Sequence, residues 1–362
     1  MLFESFNLGS ITLQNRVVMA PMTRNRATDN IPNELMAEYY GQRSGAGLII
    51  TEGVAPSPNS LGYPRIPGAF STEQTQGWKK VAQAAHQGGA KIFMQLMHTG
   101  RVGHPYNLPE EAEVIGTTTT PVQGEMYTDK AGPQPHPAAR LMNESDTKEA
   151  VQAYVTSAKN AIEAGFDGVE LHGANGYLIE QFLNPNVNSL DNEYNGSHEA
   201  RSKFALEVAQ AVIDAVGAER TSIRLSPYGV FNDTGAFEGI EKAYEYLAQE
   251  LGKLNLAYIH IVDHSPMGAP EVPRSIKEKI RDAFDGTIII SGGYDKERAE
   301  QDLSDGLGHL VAFGRPFIAN PDLVHRMKEG AELQDPDQDT FYTPGEEGYT
   351  DYPTLEEAEA AE

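Results

Sequence analysis

A strand–helix alternation repeated eight times is the pattern that most constrains this 362-residue chain. Apolar runs of strand length stand at 17–22 (VVMAPM), 48–53 (LIITEG), 91–96 (KIFMQL), 168–173 (GVELHG), 221–226 (TSIRLS), 258–262 (YIHIV), 287–293 (TIIISGG) and 309–314 (HLVAFG). Stretches with helical spacing follow them at 33–44, 73–87, 147–164, 199–216, 239–252, 274–284, 295–304 and 320–329. Continuous Val, Ile and Leu runs, rather than strict alternation, are what a parallel sheet covered on both faces requires. Eight such units predict an α/β chain folded as a single (β/α)8 TIM barrel, because eight strands close the sheet and remove its edges. An open doubly wound sheet is the alternative. It would begin with a glycine-rich phosphate loop, and VVMAPMTRNR at the first strand contains no Gly.

A minimal barrel takes about 250 residues, so the chain reads as one domain over 1–362 with three additions. Residues 1–16 include FNLGSITLQNR, two short apolar stretches about a turn, expected to be a hairpin plugging the amino-terminal mouth. Residues 101–146 form a Gly/Pro/Thr-rich insertion after the third strand. It emerges at the carboxyl-terminal face, where barrel active sites lie, and is a candidate lid. Residues 331–362 form an acidic tail with Pro336, Pro344 and Pro353, expected to lie over the surface or to be partly disordered.

Charge narrows the partners. The chain carries 28 Lys and Arg against 52 Asp and Glu, a net −24, and from Glu329 onward there are twelve acids with no Lys or Arg. With no compensating basic patch, this field opposes nucleic acids and anionic membranes. No apolar run reaches the 18 or so residues of a membrane span, and no basic residue precedes Arg16 as a signal peptide would require, so a cytoplasmic location is expected. The absence of Cys removes disulfides, thiolate nucleophiles, Cys-ligated zinc and iron–sulfur clusters.

Chemistry is sought at the carboxyl ends of the strands. A metal reading would gather His98, His172, Asp263 and His264, but there is no His-x-His pair on the first strand and no Lys at a strand end to bridge, so no metal is expected. His98 and His264 read better as hydrogen-bonded structural histidines. A phosphate grip is better supported: SGGYD (Ser291, Gly292, Gly293) and AFGRP (Gly314, Arg315) close strands seven and eight, where glycine lets backbone amides approach an anion and Arg adds a fork. Third, LHGANGYLIEQFLNP (171–185) sets His172, Asn175 and Tyr177 on one strand-to-helix turn. Two donors beside a phenol, which holds its proton at neutral pH, suit polarising a carbonyl and protonating its neighbour. An ordinary turn with a packing Tyr is the plainer reading of the same spacing.

Together, LxNRxVMAPMTR (13–24), LIITEG, QLMHTGR (95–101), GFDGVELHGANGYLIEQFLNPNVN (165–188), IRLSP (223–227), ISGGY and AFGRPFIANPDL (312–323) make the chain resemble the Old Yellow Enzyme family of flavin-dependent ene-reductases. The likeness runs from about residue 2 to 353 and is greatest to the branch of N-ethylmaleimide and xenobiotic reductases, with plant oxophytodienoate reductases as near relatives. It implies a noncovalent FMN and NADPH or NADH as reductant, with electron-poor alkenes bearing a carbonyl or nitro group as substrates and nitrate esters or nitroaromatics as further ones. A monomer or homodimer is expected.

The resemblance also implies roles. Pro21, Met22, Thr23 and Gly53 would lie beside the isoalloxazine, with Thr23 on its C4 carbonyl. Gln95 would face the pyrimidine edge, Arg224 would sit near N1 and C2, and Ser291, Gly292, Gly293, Gly314 and Arg315 would hold the phosphate. His172 and Asn175 would grip the substrate oxygen and Tyr177 would donate the proton. Tyr63, Met97 and Tyr342 would line the substrate pocket, Met97 standing where the family usually has Trp. Thr23 in place of a flavin-tuning Cys argues against the thermophilic-like branch, and the lack of Cys against the iron–sulfur dienoyl-CoA reductases. Two other classes fit the residues: an FMN barrel dehydrogenase that does not use NAD(P)H, and a barrel that binds without catalysis.

Overall fold

The computed structural model describes residues 1–361. Eight parallel strands form a closed barrel: β1 (Val17–Met19), β2 (Leu48–Val54), β3 (Lys91–Leu96), β4 (Gly168–Gly173), β5 (Thr221–Leu225), β6 (Tyr258–Val262), β7 (Thr287–Ser291) and β8 (Leu310–Phe313). Each pairs with its sequence neighbours, and β8 closes on β1. The strands are buried along nearly their whole length, which is why they read as continuous apolar runs rather than alternating ones.

Eight helices surround the barrel: α1 (Glu34–Gln42), α2 (Thr72–Gln87), α3 (Glu144–Glu163), α4 (His198–Val216), α5 (Ile240–Lys253), α6 (Arg274–Phe284), α7 (Lys296–Ser304) and α8 (Leu323–Glu329). The largest helix boundary differences from the sequence reading are three residues, α8 beginning three residues later and α3 three residues earlier. In α3 the start is set by its cap. Asn143 caps it by accepting from the Asp146 amide at 3.0 Å while the Asp146 carboxylate accepts from the Asn143 amide at 2.8 Å. Short helices at Leu178–Leu183, Arg315–Ala319 and Leu355–Ala361 were not read from the sequence.

Phe6–Leu8 and Ile11–Leu13 pair as an antiparallel hairpin. Its Leu8 and Leu13 are buried in one apolar cluster with Val18, Leu48, Ile50, Phe93, Tyr258, Ile289 and Leu310, the filling of the barrel lumen. Burying each leucine stabilises this closure by about 1.5–3 kcal/mol. The lumen is therefore filled at this end, and a cavity opens at the other.

The insertion after β3 carries a second hairpin, Glu125–Thr128 with Gly132–Pro135. Much of the tail is fixed rather than loose. Arg26 donates to the carbonyls of Thr340 (2.8 Å), Phe341 (2.8 Å), Gly345 (3.2 Å) and Glu347 (2.9 Å), and Arg24 to those of Phe341 (3.0 Å) and Gly348 (2.7 Å). Tyr349 is fully buried and stacks on Tyr39 with ring centroids 4.0 Å apart. The strap 340–349 thus belongs to the packed structure. The acidic side chains around it stay largely in solvent, because its backbone makes the attachments.

Candidate functional site

A cavity of about 1130 Å³ opens at the carboxyl ends of the strands. The strand ends form its floor, the insertion supplies Gln123, Tyr127 and His136, and the strap supplies Phe341, Tyr342 and Thr343. Every predicted site residue, Pro21, Met22, Thr23, Gly53, Tyr63, Gln95, Met97, His172, Asn175, Tyr177, Arg224, Ser291, Gly292, Gly293, Gly314, Arg315 and Tyr342, lines this one space.

The turn after β4 is held from below. Asn175 adopts φ +60°, its amide donates to Ser226 Oγ at 2.9 Å, and its carbonyl accepts from Asn232 Nδ2 at 2.7 Å. Glu180, one turn on, accepts from the Gly176 amide at 2.6 Å and from Ser226 Oγ at 3.0 Å. Burial raises its carboxyl pKa to about 7. This scaffold fixes the backbone of the turn that follows His172 and carries Asn175 and Tyr177. His172 is buried and its Nδ1 has no partner among the described residues. Burial, reinforced by Arg224, His260 and His264, holds its pKa well below the usual imidazole value, so the ring is neutral. The Tyr177 ring meets it edge-on with centroids 5.0 Å apart. The Tyr177 and Tyr63 hydroxyls lie 2.9 Å apart, and burial with the neighbouring Tyr63 pushes the Tyr177 pKa well above 10.

The floor is a buried polar chain. Gln95 Nε2 donates to Glu170 Oε1 at 2.8 Å, Glu170 Oε2 lies 3.0 Å from His260 Nδ1, and His260 Nε2 lies 3.1 Å from Ser291 Oγ. Burial alone would raise the Glu170 pKa, but His260, Arg224 and the Gln95 hydrogen bond outweigh it and keep the carboxylate ionised. Arg224 beside it is buried, and its Nε has no partner among the described residues. A buried guanidinium left incompletely paired at a cavity floor suits an anionic group bound there.

Beside Gln95 on the neighbouring strand, Gly53 faces Met97: a Cβ at position 53 would come within 2.5 Å of the Met97 Sδ and Cε atoms. Gly293 has φ +61°, and a Cβ there would lie 2.5 Å from Pro266. Gly314 is different. An added Cβ would make only ordinary contacts at 3.7 Å or more, so space remains beside it at the start of the Arg315–Ala319 helix. Arg315 is exposed and Thr23 half-buried, and neither side chain is hydrogen-bonded among the described residues. Ser291 contributes its position, while its hydroxyl serves His260 and the Ile261 carbonyl. Tyr342 is 59% exposed, at the mouth of the cavity.

His264, expected to be a hydrogen-bonded structural histidine, is hydrogen-bonded, and its partner places it at the site: it lines the cavity and its Nε2 lies 2.7 Å from Asn175 Oδ1. His98 does have an internal bond, its Nδ1 accepting from the Gly100 amide at 3.1 Å. Asp263 is paired with Lys277 at 2.8 Å. The sequence reading also missed Glu170 and His260, whose strand positions face the lumen, and Phe231 and Asn232 on the loop after β5. Glu170 had a signal, an acidic residue within the strand run GVELHG two positions before His172; the loop residues had none. Among the described residues no helix is long and apolar enough to cross a membrane.

Comparison with known proteins adds independent findings. A profile of the NADH:flavin oxidoreductase / NADH oxidase family matches residues 1–334. The chain is 39% identical to 12-oxophytodienoate reductase 7 of Oryza sativa subsp. japonica over 98% of this chain and 94% of that protein. It is 40% identical to flavin oxidoreductase hxnT of Emericella nidulans over 97% of each. The structure of morphinone reductase superposes with a TM-score of 0.94 at 40% identity, covering 99% of this chain and 97% of the other. An Old Yellow Enzyme homologue from Zymomonas mobilis gives 0.93 at 36% identity, covering 98% and 99%. Morphinone reductase has also been solved in complex with tetrahydroNAD.

Proposed function

The chain belongs to the NADH:flavin oxidoreductase / NADH oxidase family, that of Old Yellow Enzyme, and on that premise we propose that it reduces the activated C=C bond of α,β-unsaturated carbonyl or nitro compounds with NADH or NADPH, using FMN. The observation that carries this reading is the convergence of His172, Asn175 and Tyr177 on one cavity whose floor holds a buried, incompletely paired Arg224.

The cavity's residues suit FMN in chemistry and position. Arg224 offers a positive group to the electron-rich edge of a reduced ring, and Gln95 offers an amide fixed by Glu170. Thr23 offers a hydroxyl with no hydrogen bond among the described residues. Gly293, Gly314 and Arg315 offer backbone access and a cation for the phosphate. When bound, FMN supplies a two-electron carrier between nicotinamide and alkene.

The chain's own contribution is positioning and proton delivery. His172 and Asn175 bind the carbonyl or nitro oxygen and stabilise the negative charge that gathers there as hydride reaches the β carbon. A neutral His172 does this as a hydrogen-bond donor, without presenting a formal charge. Tyr177, kept protonated by burial, gives its proton to the α carbon. The balance is one hydride at the β carbon and one proton at the α carbon, leaving a saturated product. Tetrahydro-nicotinamide binding by morphinone reductase supports the same cavity taking the reductant in turn. The test is incubation of the FMN-loaded protein with NADH or NADPH and 2-cyclohexenone. Cyclohexanone formed in step with nicotinamide consumption supports the reading, and nicotinamide oxidation only at the expense of oxygen contradicts it.

A further inference from the structure

We propose that His264, at the carboxyl end of β6, is a positioning residue that turns the side-chain amide of Asn175 so that its NH2 group faces the reacting carbonyl; this rests on His172 and Asn175 being the oxygen-binding pair.

The main chain of Asn175 has little freedom, being bonded on one side to Ser226 Oγ and on the other to Asn232 Nδ2. What is left open is rotation of the terminal amide, a broad and roughly two-fold torsion that exchanges oxygen for nitrogen. The two orientations are opposite in function. With NH2 inward the amide donates to a substrate oxygen, and with oxygen inward it repels one. An amide facing only solvent and substrate has no built-in preference, and the imidazole supplies it.

His264 Nε2 lies 2.7 Å from Asn175 Oδ1, the only hydrogen bond of that side chain among the described residues. An N–H at Nε2 fixes the oxygen on the far side of the cavity lining and leaves both amide hydrogens for the cavity. The imidazole is itself held in place, its ring meeting Phe231 edge-on with centroids 4.6 Å apart. Burial, with Arg224 next in effect, lowers its pKa to about 4, so it acts as a neutral ring with a single N–H. His264 thereby stands to Asn175 as an orienting carboxylate stands to a catalytic histidine: it touches the group that touches the substrate.

A double-mutant cycle on the FMN-loaded protein tests this. His264→Phe keeps the ring against Phe231 and removes the N–H, and it is expected to raise KM for 2-cyclohexenone about ten-fold in the parent background but less than about two-fold in Asn175→Ala, since coupled neighbours are non-additive. His264→Gln, which restores a side-chain N–H, is expected to recover most of the loss. Bound-FMN content and Tm are followed for each variant, and His264→Leu replaces the phenylalanine variant if that fails to fold. Equal losses in both backgrounds, or no recovery with Gln, overturn the role of His264 while leaving the oxygen-binding pair standing. A parent chain that reduces no enone, or an Asn175→Ala variant with unchanged KM, overturns the pair and the His264 role together.

Discussion

The hydroxyls of Tyr63 and Tyr177 lie 2.9 Å apart, although the residues belong to the loop after β2 and the turn after β4. Their rings meet at 88°, edge to face, which lets the oxygens meet without stacking. Tyr177 is therefore a phenol hydrogen-bonded to a second phenol, and with Tyr63 as the donor its own proton is left for the cavity. Burial also raises the Tyr63 pKa, to about 12, so neither hydroxyl ionises near neutral pH.

Tyr63→Phe removes that partner and leaves the proton donor in place. Enone reduction is expected to slow about five-fold, the worth of one hydrogen bond of ~1 kcal/mol. Steady-state kcat with 2-cyclohexenone measures it. A hundred-fold loss would mean that Tyr63, rather than Tyr177, delivers the proton.

Glu180 links the site to pH-dependent stability. Its folded pKa is raised from 4.5 to about 7 by burial, so the native state holds a proton that the unfolded chain gives up more readily. Its contribution is fully present below pH 4.5 and is lost as pH rises to about 7. Glu180→Gln removes the titration while keeping an acceptor for the Gly176 amide. Urea unfolding of the parent should lose stability across this window, and the variant should lose less, the difference growing to as much as about 3 kcal/mol. Parallel curves for the two proteins would contradict the assignment.

Arg26 holds the strap 340–349 through four carbonyls while itself almost wholly buried. Arg26→Ala leaves those acceptors without their charged donor, each such bond being worth about 1.5–3 kcal/mol. The strap is expected to open ahead of the barrel. Limited proteolysis should cut the variant first between 335 and 350, and the FMN-loaded protein should lose enone affinity as Phe341 and Tyr342 leave the cavity wall. First cuts in the barrel helices would show that the strap is not a separately released unit.

The barrel was legible because parallel strands covered on both faces leave continuous apolar runs, and LIITEG or TIIIS can hardly be read otherwise. The strand-four turn was legible because its polar residues are close in sequence. Relationships across the barrel were not. His264 and Asn175 are 89 positions apart, and a lone His at a strand end carries no mark of its partner. Arg24 and Arg26 bind main-chain carbonyls, which have no side-chain signature, so the tail showed only its charge and its prolines. Met97 was noted as a slimmer residue, but its seat against Gly53, where even a methyl group would collide, depends on the packing of β2 against the loop after β3.

The central claim, that Tyr177 protonates the alkene while the rest of the cavity binds and orients, is tested most directly by separating the two half-reactions in Tyr177→Phe under anaerobic conditions. NADH or NADPH should bleach the flavin of the variant at nearly the parent rate, because no proton from Tyr177 is needed there. Reoxidation by 2-cyclohexenone should be slower than in the parent by about 10²–10⁴-fold, the range for loss of a general acid. Equal slowing of both half-reactions, or unchanged reoxidation, would contradict the assignment.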